Sequence, residues 1–246
     1  MKTKNNSRLT FNTSTNLLLP ISVQDVLYAD AYLYGWVKNH KSNISGFINH
    51  IIPMLSEYQD DLRERLLAYN NGNEEITKIV EQNIFNIYLP LFDTQSDPST
   101  NVPFRINQKN YDEFLNIHDT KLLHYNTNFT DFVRKLLVEY SKKSPDQREI
   151  LYAYRIVKKI KDAIADQRLC HFHCGKNKVS AVPVQMEASP VSRKNIIFGM
   201  PEEDRIPYII PLYTVTNLVV DNKTMTITDE DCQIIYEAQT QYYYSE

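Results

Sequence analysis

Two ten-residue runs, NISGFINHII from Asn43 and NFTDFVRKLL from Asn128, space their apolar side chains along one face of a helix. Phe47, Ile48, Ile51, Ile52 and Leu55 in the first correspond to Phe132, Val133, Leu136, Leu137 and Tyr140 in the second, 85 residues on (132 − 47). Each run opens with Asn, an apolar residue and a hydroxyl, which predicts Ser45 and Thr130 as helix N-caps. The same offset lays Val102–Phe114 over Leu17–Ala29. Phe104 and Ile106 alternate with Arg105 and Asn107, as a strand with one buried face requires, and a helix follows over about Gln108–Leu123. The corresponding strand of the first copy is Leu17–Ser22, with Leu18, Pro20 and Ser22 outward, or Arg8–Asn12 in an alternative register. Pro53 is expected to interrupt the first copy's second helix.

Further amphipathic helices are expected over Met54–Tyr69 and Glu74–Tyr88, with Pro90 and the loop DTQSDPST marking a join. A long helix over Asp146–Gln167 would carry Ile150, Tyr154, Val157, Ile160 and Ile164 on one face. From Leu169 the period changes to two, in the runs CHFHC, VSAVPVQM, NIIFGM, YIIPLYTVTNLVV and TMTIT, which predicts a small, strongly bent sheet or barrel. A last helix is expected from Cys232 to about Gln241, after the acids Asp229, Glu230 and Asp231. Four segments result: 1–92, 93–145, a linker helix at 146–168, and 169–246. The fold class is α+β, mostly helical in its N-terminal part.

At 246 residues the chain can bury more than one core. Five glycines argue against glycine-rich phosphate loops, and three cysteines do not form a secreted disulfide framework. No run reaches the length of apolar residues that a bilayer crossing needs, and the N-terminus lacks a hydrophobic signal core, so a cytoplasmic protein is expected, with no membrane partner. The net charge is −3, but it is unevenly placed. Arg134–Lys178 holds twelve Lys and Arg against five Asp and Glu, whereas Met54–Asp93 holds three against eight. The first imbalance suggests a side that faces phosphate.

The strand PFRIN followed by TNFTDFVRKLL resembles the ribbon-helix-helix family of DNA-binding domains. In that family two units pair their strands into a ribbon that enters the major groove. The resemblance implies that Arg105 and Asn107 face base edges and that Thr130, with the amides of Asp131 and Phe132, meets a phosphate. One unit cannot bury its own core, so a dimer is implied, and two copies in one chain can form a pseudo-dimer by themselves. The C-terminal order, AIADQRLCHFHCG, AVPVQM, NIIFGM and LYTVTNL, resembles the WYL domain of bacterial regulators, an SH3-like barrel that binds ligands or nucleic acid. The family's Trp-Tyr-Leu corresponds here to Asn195-Ile196-Ile197, its Arg-Ile to Thr214-Val215, and the aromatic of its first strand to about His173. The two together resemble the WYL accessory proteins of type VI-D CRISPR systems, which bind single-stranded RNA and modulate an RNA-targeting nuclease.

Cys170-His171-Phe172-His173-Cys174 has the residues of a zinc site, but strand alternation sends the two cysteines to one face and the two histidines to the other. No metal or other cofactor is expected. His171 and His173 are assigned instead to phosphate or base contacts. No Walker loop, nucleophile elbow or His-Glu-x-x-His motif occurs, so no enzyme is expected. The expected function is that of a nucleic-acid-binding regulator of bacterial or phage origin, with duplex DNA or single-stranded RNA as partner. Its contact residues are Arg105, Asn107, Thr130, Arg134, Lys135, Arg155, Lys158, Lys159, His171 and His173. A CRISPR effector nuclease is a possible protein partner and a homodimer the expected assembly; the remaining reading is a protein-interaction module without nucleic acid. Seventeen tyrosines, among them Tyr28, Tyr32 and Tyr34, offer aromatic faces for unpaired bases.

Overall fold

A computed structural model describes residues 14–87, 97–203 and 205–245. The chain divides between Lys143 and Ser144 into two units.

The first unit runs β1 (Ser14–Pro20), α1 (Ile21–Leu33), the short strands β2 (Val37–Lys38) and β3 (Lys41–Ser42), α2 (Ile44–Tyr69), α3 (Glu74–Ile87), β4 (Ser99–Arg105), α4 (Tyr111–His124) and α5 (Phe129–Ser141). A 3-10 turn at Gln108–Asn110 precedes α4. β1 and β4 form an antiparallel ribbon in which Leu17 pairs with Val102. That pair is separated by 85 residues (102 − 17), and so are the first residues of α2 and α5 (129 − 44). The register therefore gives the ribbon a local pseudo-two-fold axis between Leu17 and Val102. Leu17, Leu19, Val102 and Phe104 turn into the core, where both apolar runs are buried in full. Tyr140 packs edge-on against Phe47 at 6.2 Å and donates a buried hydrogen bond of 2.7 Å to Asp30 Oδ2.

Several expectations are corrected. Pro20 is buried and Ser22 lies in α1, so the outward side chains of β1 are Asn16 and Leu18. The alternative strand Arg8–Asn12 lies outside the described residues. α2 continues without interruption through Pro53 for 26 residues. Proline has no N–H to give the carbonyl four residues back, and that carbonyl, on Asn49, accepts instead from the Asn110 side chain. α1 begins after a proline that brings no capping side chain; Asp97 supplies the anion, accepting from Ser22 N at 3.2 Å and from the Ser22 hydroxyl.

The second unit consists of α6 (Pro145–Tyr152), α7 (Tyr154–Ala165), β5 (Arg168–Cys174), β6 (Asn177–Ala188), β7 (Asn195–Pro201), β8 (Tyr208–Pro211), β9 (Val215–Thr224) and α8 (Asp229–Ser245). The strands form one antiparallel sheet in the order β8-β7-β6-β5-β9. The helix expected over 146–167 is two helices that meet at Ala153. α6 is anchored by buried Glu149, which accepts from Asn195 N at 2.6 Å, Asn195 Nδ2 at 2.9 Å and Tyr213 N at 3.0 Å. α7 lays Val157, Ile160 and Ala163 against Cys170, Phe172 and Ile197 of the sheet. A second core joins Ile196, Phe198 and Met200 of β7 to Ile235 of α8. Of TMTIT only Thr224 is strand. α8 starts earlier than expected because Thr228 and Asp231 cap it reciprocally, with Asp231 N donating to Thr228 Oγ1 at 3.2 Å and Thr228 N to Asp231 Oδ2 at 3.0 Å.

Candidate nucleic-acid interface

The two capped helix starts share one local geometry and carry opposite electrostatics. The capping residues are Asn43 and Asn128, two positions before the expected Ser45 and Thr130. Asn43 Oδ1 accepts from Gly46 N at 3.1 Å and Asn128 Oδ1 from Asp131 N at 2.9 Å. Asn and a backbone N–H three residues on make the same cap that a hydroxyl would. Ser45 has another use: its hydroxyl accepts from Arg105 N at 3.2 Å, tying α2 to the end of β4. Asn49, 2% exposed, completes that tie, donating to Arg105 O at 2.7 Å and accepting from Asn107 N at 2.9 Å.

At α5 the first turn holds its own anion. The Asp131 carboxylate accepts from Asn128 Nδ2 at 2.6 Å and from the Arg134 guanidinium at 2.6 Å. The residue that pseudo-symmetry places opposite, where the other copy has Arg105, is buried Pro20. At α2 the matching position is Gly46, where a Cβ would come within 2.5 Å of the Asn43 amide and 3.0 Å of the Trp36 ring. No side chain can stand there without displacing the cap. A recess of about 640 Å³ remains beside this helix start, with Arg105, Asn107 and Ser45 on its wall. Of the two helix N-termini, the one at α2 keeps the positive end of its dipole beside a cation.

Arg105 is exposed on β4 and Asn107 is exposed just beyond it, but Asn107 Oδ1 is engaged with Asn110 N at 3.0 Å. Thr130 is half-buried in the first turn of α5. Arg134 is held by Asp131. Lys135 is buried, with its ammonium 4.1 Å over the Phe85 ring, and desolvation lowers its basicity. It lines a partly open pocket of about 30 Å³, room for about one water. Arg155 and Lys159 are exposed on α7 in the second unit, and Lys158 lies 5.9 Å from the centre of the Tyr154 ring. His171 Nδ1 meets Ser180 Oγ at 2.8 Å and Nε2 meets Asp221 at 3.4 Å; His173 pairs across strands with Lys178. Burial pushes the Cys170 thiol up to about 11, away from thiolate chemistry. The proposed contacts thus fall into an Arg105 group in the first unit and an α7–β5 group in the second.

One feature escaped the pattern of apolar positions: the hairpin of β2 and β3. It is exposed almost throughout and turns on Asn39 and His40, both at positive φ (52° and 60°). The absence of any acid between Asp30 and Glu57 marks this stretch as basic, but the same stretch includes the start of α2 and gives no sign of the hairpin.

Among the described residues no three His, Cys, Asp or Glu side chains are placed to share a metal ion, and no helix is long and apolar enough to cross a membrane. No family model and no curated protein matches the chain. Among solved structures it is similar to one titled "Crystal structure of a CRISPR Cas-related protein", at 14% identity and a TM-score of 0.66, over 94% of this chain and 70% of that one. The likeness establishes a shared fold.

Proposed function

We propose that this protein is a non-catalytic accessory protein of a CRISPR system that binds single-stranded RNA, and that it acts as a homodimer on an effector nuclease. In this reading the first unit is a ribbon-helix-helix-like pair fused in one chain, and the second is a WYL-like domain whose sheet derives from an SH3-like barrel. The observation that carries the choice of nucleic acid is the outward face of the ribbon. Asn16, Leu18, Asn101 and Pro103 stand beside a single cation, Arg105. Reading a two-fold operator takes matched donors and acceptors on both strands; Asn16 and Asn101 form one such pair, but Leu18 and Pro103 supply none and Arg105 is matched only by buried Pro20. Loss of one phosphate-facing helix start to Asp131 supports the same reading, because a palindromic duplex presents its phosphates in pairs. The shared fold with a CRISPR Cas-related protein supports the cellular setting.

The test is a titration of labelled single-stranded RNA and of duplex DNA by fluorescence anisotropy at two salt concentrations. RNA should bind more tightly than duplex at both. Tighter duplex binding would favour a transcriptional regulator.

A further inference from the structure

We infer that the β2–β3 hairpin and the adjoining face of α1 form the landing site for an unpaired RNA strand, with phosphates on Lys38 and Lys41 and bases on Tyr28 and Tyr32. This rests on the proposal of RNA binding and names the surface and the chemistry it recognises. The second copy has no counterpart. Where α4 continues helically to His124, the first copy ends α1 at Leu33, and the residues so released build the hairpin. Lys38 and Lys41 are register partners, so both ammonium groups lie at the same end of a two-residue turn, with His40 at its tip. All three are exposed. Like charges placed opposite one another on a strand pair are destabilising, and a fold that accepts the cost gains a concentrated positive site.

The aromatic half of the site is held beside it. Ser42 Oγ donates to Tyr28 O at 3.1 Å, which fixes β3 against the turn of α1 that carries Tyr28. Tyr32 follows one turn later on the same face, and the two residues are 41% and 66% exposed. Aromatic faces next to a basic stretch are how proteins take up unpaired bases regardless of sequence. The segment from Ala31 to Ser56 contains no carboxylate; on α1, Asp25 is exposed one turn before Tyr28, while Asp30 is buried under Tyr140. The occupant is therefore a polyanion with accessible base faces. A single strand has these; a duplex hides its bases in the stack. The hairpin also runs directly into Asn43, so a strand laid on it continues toward Arg105.

Trp36, the one tryptophan of the chain, opens the hairpin and stands 5.4 Å from His50, which gives a local reporter. The experiment titrates the full-length protein with a labelled oligouridine RNA, following label anisotropy and tryptophan emission together. It is repeated for Lys38→Ala/Lys41→Ala and for Tyr32→Ala, all three being surface positions. Emission should change in step with anisotropy. The lysine pair should lower the magnitude of the log–log salt slope by about 1.4, about 0.7 for each lost phosphate contact, and Tyr32→Ala should weaken binding about tenfold. RNA binding with unchanged tryptophan emission and unchanged affinity in both variants would overturn the hairpin site and leave RNA binding standing. Absence of RNA binding by the parent protein would overturn both.

Discussion

Asn43 and Asn128 are the residues on which the two copies agree most closely, each accepting from the backbone N–H three positions on. Replacing either by Ala should cost about 1 kcal/mol, the usual worth of such a cap. Thermal unfolding of the two variants checks this, and Thr130→Ala serves as the comparison that should cost less. The sequence showed a capped start at both places but not which residue caps, because Asn and the hydroxyl residues are near-equal caps and stand two apart. Glu149 gives a pH prediction. Burial raises its carboxyl above the usual carboxylate range, against the three N–H donors that favour the charged form. The folded state then holds this proton more firmly than the unfolded state does. Its stabilisation is complete below the unfolded value and is lost as pH rises through the raised folded value. As the pH is lowered from neutrality, the melting temperature of the parent relative to Glu149→Gln should shift in the parent's favour. Movement the other way would mean that the donors outweigh burial.

At the level of elements, the 85-residue echo located the second strand and the core face of α2 and α5, because each depends on local periodicity and on burial that repeats in both copies, while the first strand stayed open between two registers. What it could not specify was set by contacts distant in sequence. Pro53 is a helix breaker by local rules, yet Asn110 satisfies the carbonyl that it leaves bare. Of the two positions at which the runs differ in kind, Gly46 against Asp131 and Asn49 against Arg134, the second proved to be the buried hub between α2 and the end of β4. Asn49→Ala would leave Asn107 N without this partner and Arg105 O to the Ser45 hydroxyl, and should cost about 1–3 kcal/mol, since a polar group stripped of its partner loses solvation. Chemical denaturation measures it; a loss under about 1 kcal/mol would mean that water replaces the amide. Lys135 illustrates the same limit from the other side. Counted with Arg134 among the basic residues, it is buried over Phe85, a placement that charge counting along the chain does not reveal.

For the whole molecule, the account is that a duplicated strand-helix-helix unit has lost the symmetry that duplex reading demands. One helix start is occupied by Asp131; the other lies open beside Arg105 and a basic hairpin. Charge along the sequence pointed to Arg134–Lys178 as the phosphate side, a stretch that spans two separate units. Lys158→Glu/Lys159→Glu therefore tests the second unit by itself, and on RNA it should weaken binding less than Arg105→Glu does. The central claim is met most directly by the salt dependence of single-stranded RNA binding for the full-length protein and for Arg105→Ala. The account predicts a linear log–log plot for the parent and a slope smaller in magnitude by about 0.7 for the variant. Equal slopes, or affinity indifferent to salt, would contradict it.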